Sequence, residues 1–225
     1  MGPIRQRGNI LFLILLAVVL FAALSYAVTR DQSGQEKNAS AEKADLLASQ
    51  LVQVGSLLEN TMMRAMTVYG VPEYGFDLSD ANSTATANGT CTQANCKMFT
   101  GTGGPVALPA LPDWASSPPA NPKARFYVGQ IVNVGTTAPD VFMLYTYLTM
   151  EVCLALQRIT SSTDIPLNVY DALGGSNRDY SGTLTAMPAS TAAYGDENPS
   201  IKGHRAFCHS NDGSQRAFIY VLIAR

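Results

Sequence analysis

Charge is scarce in this chain. Only 14% of its 225 residues are Asp, Glu, Lys or Arg, against about 25% in soluble domains. Fifteen Lys and Arg face seventeen Asp and Glu, for a formal charge of −2. Without a basic excess no surface can neutralise a phosphate backbone, so nucleic acid is excluded from the expected partners. Chemistry-bearing motifs are missing too: there is no Walker loop, G-x-G-x-x-G or H-E-x-x-H, and no G-x-S-x-G elbow. Gly101-Thr102-Gly103-Gly104-Pro105 lacks the Lys-Ser/Thr that completes a phosphate cradle. His204 and His209 flank Cys208, but a five-residue gap on a strand turns them to opposite faces, and both are read as surface histidines. Asp196-Glu197 and Asn211-Asp212 lack the spacing of a calcium loop and read as solvated turns. The sequence therefore predicts no enzyme, no cofactor and no metal. At this length it predicts one domain with an appendage.

The appendage is an uninterrupted apolar run. Residues 10–28, ILFLILLAVVLFAALSYAV, carry no charge and would cover roughly 28 Å as a helix, close to the ~30 Å thickness of bilayer hydrocarbon. Arg5 and Arg7 precede it without an acid; the positive-inside rule then holds the N-terminus in the cytoplasm and exports the rest. Three fates stay open for the run. It can remain as an uncut anchor, it can be a secretory signal released after Ala27, where Ser25 and Ala27 are small, or it can lose only the residues ahead of it.

Beyond a polar patch at residues 30–37, apolar residues return at Leu47, Leu51, Val54, Leu58, Met62, Ala65 and Met66. This three-and-four spacing is one face of an amphipathic helix. Gly70, Pro72 and Gly75 end it, and Gly34 marks a weak point between its membrane and exported halves.

The leader decides among the three fates by likeness. Arg5-Gln6-Arg7-Gly8, followed at once by Asn9 and the apolar run, resembles the class III leader of type IV pilins and type II secretion pseudopilins; the resemblance covers the leader and the helix, residues 1–70. It implies that a prepilin peptidase in the inner membrane cuts between Gly8 and Asn9 and leaves the hydrophobic helix on the subunit. Family members usually carry a glutamate five residues after the cut, where this chain has Leu13. A carboxylate in an apolar bundle is costly unless paired, and its replacement by Leu13 points to a minor, tip-type pseudopilin or to a divergent branch.

The implied fold is α+β, a long N-terminal transmembrane and amphipathic helix packed on an antiparallel β-sheet head. The implied division is leader 1–8, transmembrane half 9–28, periplasmic amphipathic half 29–70 and head 71–225. The implied function is a structural subunit of a type IV pilus or type II secretion-like filament, homo- or hetero-polymeric, whose partners are other pilin-like subunits, the inner membrane and the prepilin peptidase. Copies are expected to pack through Leu13, Leu47, Leu51, Val54 and Leu58, because van der Waals contact and lipid release favour helix association. The head would lie in the periplasm or on an extracellular filament. The alternative is a single-pass anchored periplasmic binding or sensor module.

Within the head, residues 77–122 are rich in Ser, Thr, Ala, Asn, Gly and Pro and read as long loops with at most one short strand. Strands are predicted at 126–134 and 141–147, a helix at 148–159 with Thr149 as N-cap, and a closing hairpin of 204–209 and 216–223 around residues 210–214. Four cysteines permit three pairings. The short gap favours Cys91 with Cys96 over a metal knuckle, since no His lies near. That leaves Cys153 and Cys208 for each other, in keeping with an oxidising compartment.

Overall fold

The computed structural model describes residues 10–117, 123–167, 178–180, 193–195, 198–210 and 215–225; for 10–13, 27–39, 178 and 193–194 it describes the backbone. Gly8 and Asn9, the side chain of Leu13, and the acidic pairs at 196–197 and 211–212 lie outside the described residues. The chain divides into two units, 1–43 and 44–225. Helix α1, Ile10–Tyr69, contributes to both.

In the first unit every described side chain from 14 to 26 is exposed, with Leu16 at 47% and Phe21 at 73%. Among the described residues no helix is long and apolar enough to cross a membrane; the part of the apolar run whose side chains are described, 14–26, covers about 20 Å.

The second unit is an α+β head with its own core. Here α1 buries Ala44, Leu47, Ala48, Leu51, Val54, Leu58, Met62 and Ala65, the stripe that the three-and-four spacing predicts. The helix stops at Gly70, whose φ of 67° is left-handed and free of the Cβ penalty only in glycine. Pro72 follows and prevents continuation.

The sheet is built from β1 (Arg125–Ile131), β2 (Asp140–Leu148), β5 (Ala206–Ser210) and β6 (Arg216–Ile223) in the antiparallel order β1-β2-β6-β5. Two-residue strands cover the outer edge of β1: β3 (Arg178–Asp179) runs antiparallel beside Tyr127 and Val128, and β4 (Ala193–Tyr194) runs parallel beside Gln130 and Ile131. They occupy backbone groups that would otherwise template another strand. Helix α2, Met150–Thr160, begins directly after β2 at its N-cap Thr149, whose carbonyl accepts from the Cys153 N–H at 3.1 Å.

Alternation along the strands gives the sheet two apolar faces. Phe126, Val128, Met143, Tyr145, Phe218 and Leu222 share one core with α1. Tyr127, Phe142, Leu144, Phe207, Ile219 and Val221 form another with Ile165 and Ile201. The segment between α1 and β1, expected as loops, holds among its described residues three short 3₁₀ turns and isolated bridges. It nevertheless places Phe76, Leu78, Met98, Phe99, Val106, Leu108 and Leu111 in the helix-side core. Loop composition concealed this because the apolar residues are spaced too irregularly for either period.

The predicted β1 overshoots. Val134 donates to the Ile131 carbonyl at 3.1 Å and Asn133 takes φ 62°, so the chain turns where three more strand residues were expected.

Candidate functional site

Because α1 carries the expected assembly residues, it is the natural place to look for function. The structure corrects their role. Leu47, Leu51, Val54 and Leu58 are 8% exposed or less, packed against the head's own loops and sheet. They are therefore out of reach of a second copy. Periodicity identifies a buried stripe but not what buries it, and here the cover comes from the same chain. The large apolar residues that the head half of α1 leaves exposed are Leu46, Leu57, Met63, Val68 and Tyr69.

The contact between helix and sheet is tight at one point. A Cβ on Gly55 would lie 2.6 Å from two carbons of the Tyr220 ring, closer than non-bonded atoms approach, so the glycine interrupting the helical stripe is required for the ring of β6 to lie on α1. The Tyr220 hydroxyl then donates to Glu59 Oε2 at 3.0 Å, and Arg205 Nη2 donates to Glu59 Oε1 at 2.7 Å. Burial and the Glu59 charge raise the Tyr220 pKa above its ordinary value. A second ion pair, Arg158 with Asp45, joins α2 to α1; both side chains are about half exposed, and such pairs contribute little.

Both disulfides take the pairing expected from the sequence, Cys91 with Cys96 and Cys153 with Cys208. The second ties α2 to β5. Buried Gln157 reinforces that junction, with its Nε2 donating to the Ile165 and Cys208 carbonyls at 2.6 and 3.0 Å. The first closes a small loop beside the end of α1. Two open grooves flank that loop. One, of about 530 Å³, is lined by Tyr69, Pro72, Tyr74, Thr90 and Gln93 among others. The other, of about 690 Å³, lies along α1 between Leu57, Arg64 and Tyr69 on one side and Lys97, Met98 and Pro105 on the other.

The histidine reading needs correction. His209 is wholly buried on β5, its ring 5.7 Å from that of Phe207, and burial lowers its pKa to about 4. His204 precedes the strand, and its side chain, 23% exposed, lies with Nε2 3.5 Å from Asp164 Oδ1. The alternation argument does not apply, because β5 begins at Ala206 and His204 lies ahead of it; nor could the sequence reveal that both sheet faces are covered. Among the described residues no group of three His, Cys, Asp or Glu side chains could hold a metal ion.

Sequence reasoning gave no role to Asp140. It is fully buried at the start of β2, accepting from the Ile131 N–H at 3.1 Å and the Arg225 N–H at 3.0 Å. Burial raises its pKa to about 6 against the pull of those two hydrogen bonds and of Arg205 and Arg225. The carboxylate fastens residue 225 to the β1–β2 connection, while the Arg225 guanidinium pairs with Glu73 at 3.0 Å. An acid after a Thr-Thr-Ala-Pro turn looks like turn chemistry, and nothing local in the sequence marks it as buried.

No protein-family model, no curated protein and no solved structure matches this chain.

Proposed function

We propose that this chain is a pilin- or pseudopilin-like subunit of a bacterial type IV pilus or type II secretion-like filament. It is cut after Gly8, held in the inner membrane by residues 9–28, and presents the head of 44–225 to the periplasm. Its work is mechanical assembly. The observation that supports this reading best is the exposure of every described side chain from 14 to 26. A helix apolar on all sides is stable only when lipid or other apolar helices surround it, and no side chain of 14–26 is covered by the described residues. The two disulfides add support from redox compartment.

Mass spectrometry of the mature N-terminus tests the proposal: a chain beginning at Asn9 is the expected result. Gly8→Ala should leave the uncut precursor in the membrane, and normal processing of that variant would contradict the leader assignment. The grooves beside the Cys91–Cys96 loop favour a second reading, an anchored periplasmic binding module, for which the chain retains Met1. A product beginning at Val28 would instead mean secretion.

A further inference from the structure

We propose that heads of adjacent copies engage heterologously, the Trp114 patch of one head seating in the Leu57–Arg64–Lys97 groove of the next. This deepens the filament reading and rests on it for bringing copies together. The groove is apolar along Leu57, Ala65, Met98 and Pro105 and carries two cations, Arg64 and Lys97. Neither has an ion-pair partner among the described residues, and no acid lines the groove. Its complement is elsewhere on the same head. Trp114, the single tryptophan of the chain, is 45% exposed, beside the start of α2, where Met150 and Leu154 are 38% and 42% exposed. Thr149 donates to the Ala115 carbonyl at 2.9 Å and Ser116 bridges to Leu148, which holds the Trp114 turn against the head of α2. Asp113 and Glu151 flank this patch, both exposed and neither ion-paired among the described residues.

One surface is therefore apolar with two open cations, and the other apolar with two open anions and an aromatic anchor. Charges of opposite sign fix register and orientation across an interface, and exposed tryptophan is among the residues that dominate contact energy. Trp114 does not line its own groove, so within one chain the two surfaces remain apart. A contact between different patches that does not close on itself propagates as an open helical array. A patch this small falls in the weak class of interfaces, and its contribution depends on the high effective concentration that a shared membrane or filament supplies.

The test uses the full chain in detergent micelles, with one added cysteine per chain. Differently tagged Lys97→Cys and Asp113→Cys chains are mixed and mildly oxidised. The expected yield of mixed dimer is at least ten-fold above that of Lys97→Cys with Asp164→Cys. Arg64→Glu combined with Lys97→Glu should abolish the blue shift of Trp114 emission on association, and pairing that variant with Asp113→Lys combined with Glu151→Lys should restore it. Wild-type association, seen by sedimentation, without cross-linking above the control would overturn the head contact and leave the filament reading standing. No association, together with a mature N-terminus other than Asn9, would overturn both. Protection of Lys97 from acylation by an unrelated acidic peptide, but not by a second copy, would assign the groove to another protein and also overturn the proposal.

Discussion

Residues 14–26 and 44–65 belong to the same helix, yet their side chains follow opposite rules. In the first stretch every side chain is exposed and all from Ile14 to Leu24 are apolar; in the second, Leu51 and Leu58 are wholly buried while Leu46 and Leu57 stand open. A helical backbone thus says little about what a leucine does. Around the second stretch the chain supplies its own cover of sheet and loops, so its apolar residues act in folding. Around the first no described residue covers a side chain, and under the proposed function those residues meet lipid or other copies.

That contrast can be broken most forcefully in the apolar stretch. Val18→Arg places a charge near the middle of the run, where insertion costs about 2.5–3.5 kcal/mol. The expected outcome is loss of the protein from the membrane fraction with the melting temperature of the head unchanged; a membrane-retained variant would mean that the run is not the handle. Leu51→Ala should behave oppositely. It leaves membrane retention intact and destabilises the head by about 2–5 kcal/mol in denaturant unfolding of the full chain, whereas Leu20→Ala should change head stability by less than about 0.5 kcal/mol.

The two disulfides sharpen the picture within the head. On chain-entropy grounds, removing the link that closes 55 residues costs about 4 kcal/mol, and removing the link that closes 5 costs about 2 kcal/mol. Paired Cys→Ala variants compared by unfolding should keep that order. Gly55→Ala gains about 1 kcal/mol of helix propensity but meets the Tyr220 ring, so a net loss of about 1–3 kcal/mol is expected. A stabilised variant would show that ring and helix are less tightly packed.

A smaller effect concerns pH, and it is confined to the head. The folded-state pKa of Asp140 is raised to about 6, so its contribution is present below about pH 4 and is lost as pH rises to 6. The folded-state pKa of His209 is lowered to about 4; its contribution is present above about pH 6.5 and is lost as pH falls toward 4. The two slopes oppose each other, and wild-type stability should vary little between pH 4 and 6. Asp140→Asn should uncover a stability that rises with pH across that window, and His209→Gln one that falls. Matching wild-type and variant profiles would contradict the assigned shifts.

Much of the head was legible beforehand. Strands β2, β5 and β6 and helix α2 fall within about two residues of their predicted places, because each is marked by its own apolar run and bounded by Pro, Gly or a capping Thr. The cysteine pairs were legible for a related reason: once Cys91 and Cys96 are close in sequence, the other two have only each other. What escaped prediction depends on residues far apart in the chain. Insertion of β6 between β2 and β5, burial of Asp140 against residue 225 and burial of His209 follow from sheet order and from coverage of both its faces. No window of ten residues contains that information. Of the expected site residues, Gly8, Asn9 and the Leu13 side chain fall outside the described residues, and the four on α1 proved to serve folding.

The sequence by itself determined where this chain is apolar on all sides and where it is apolar on one, since hydrophobic periodicity is local and follows from the geometry of a single helix. Only the tertiary structure decided what covers the one-sided stripe. That depends on which distant strands and loops meet it, and burial is a property of surfaces brought together by the whole fold. The same reason separates the open cations of the α1 groove from the open acids beside Trp114: charge can be counted in a sequence, but whether a charge finds a partner is settled by contact.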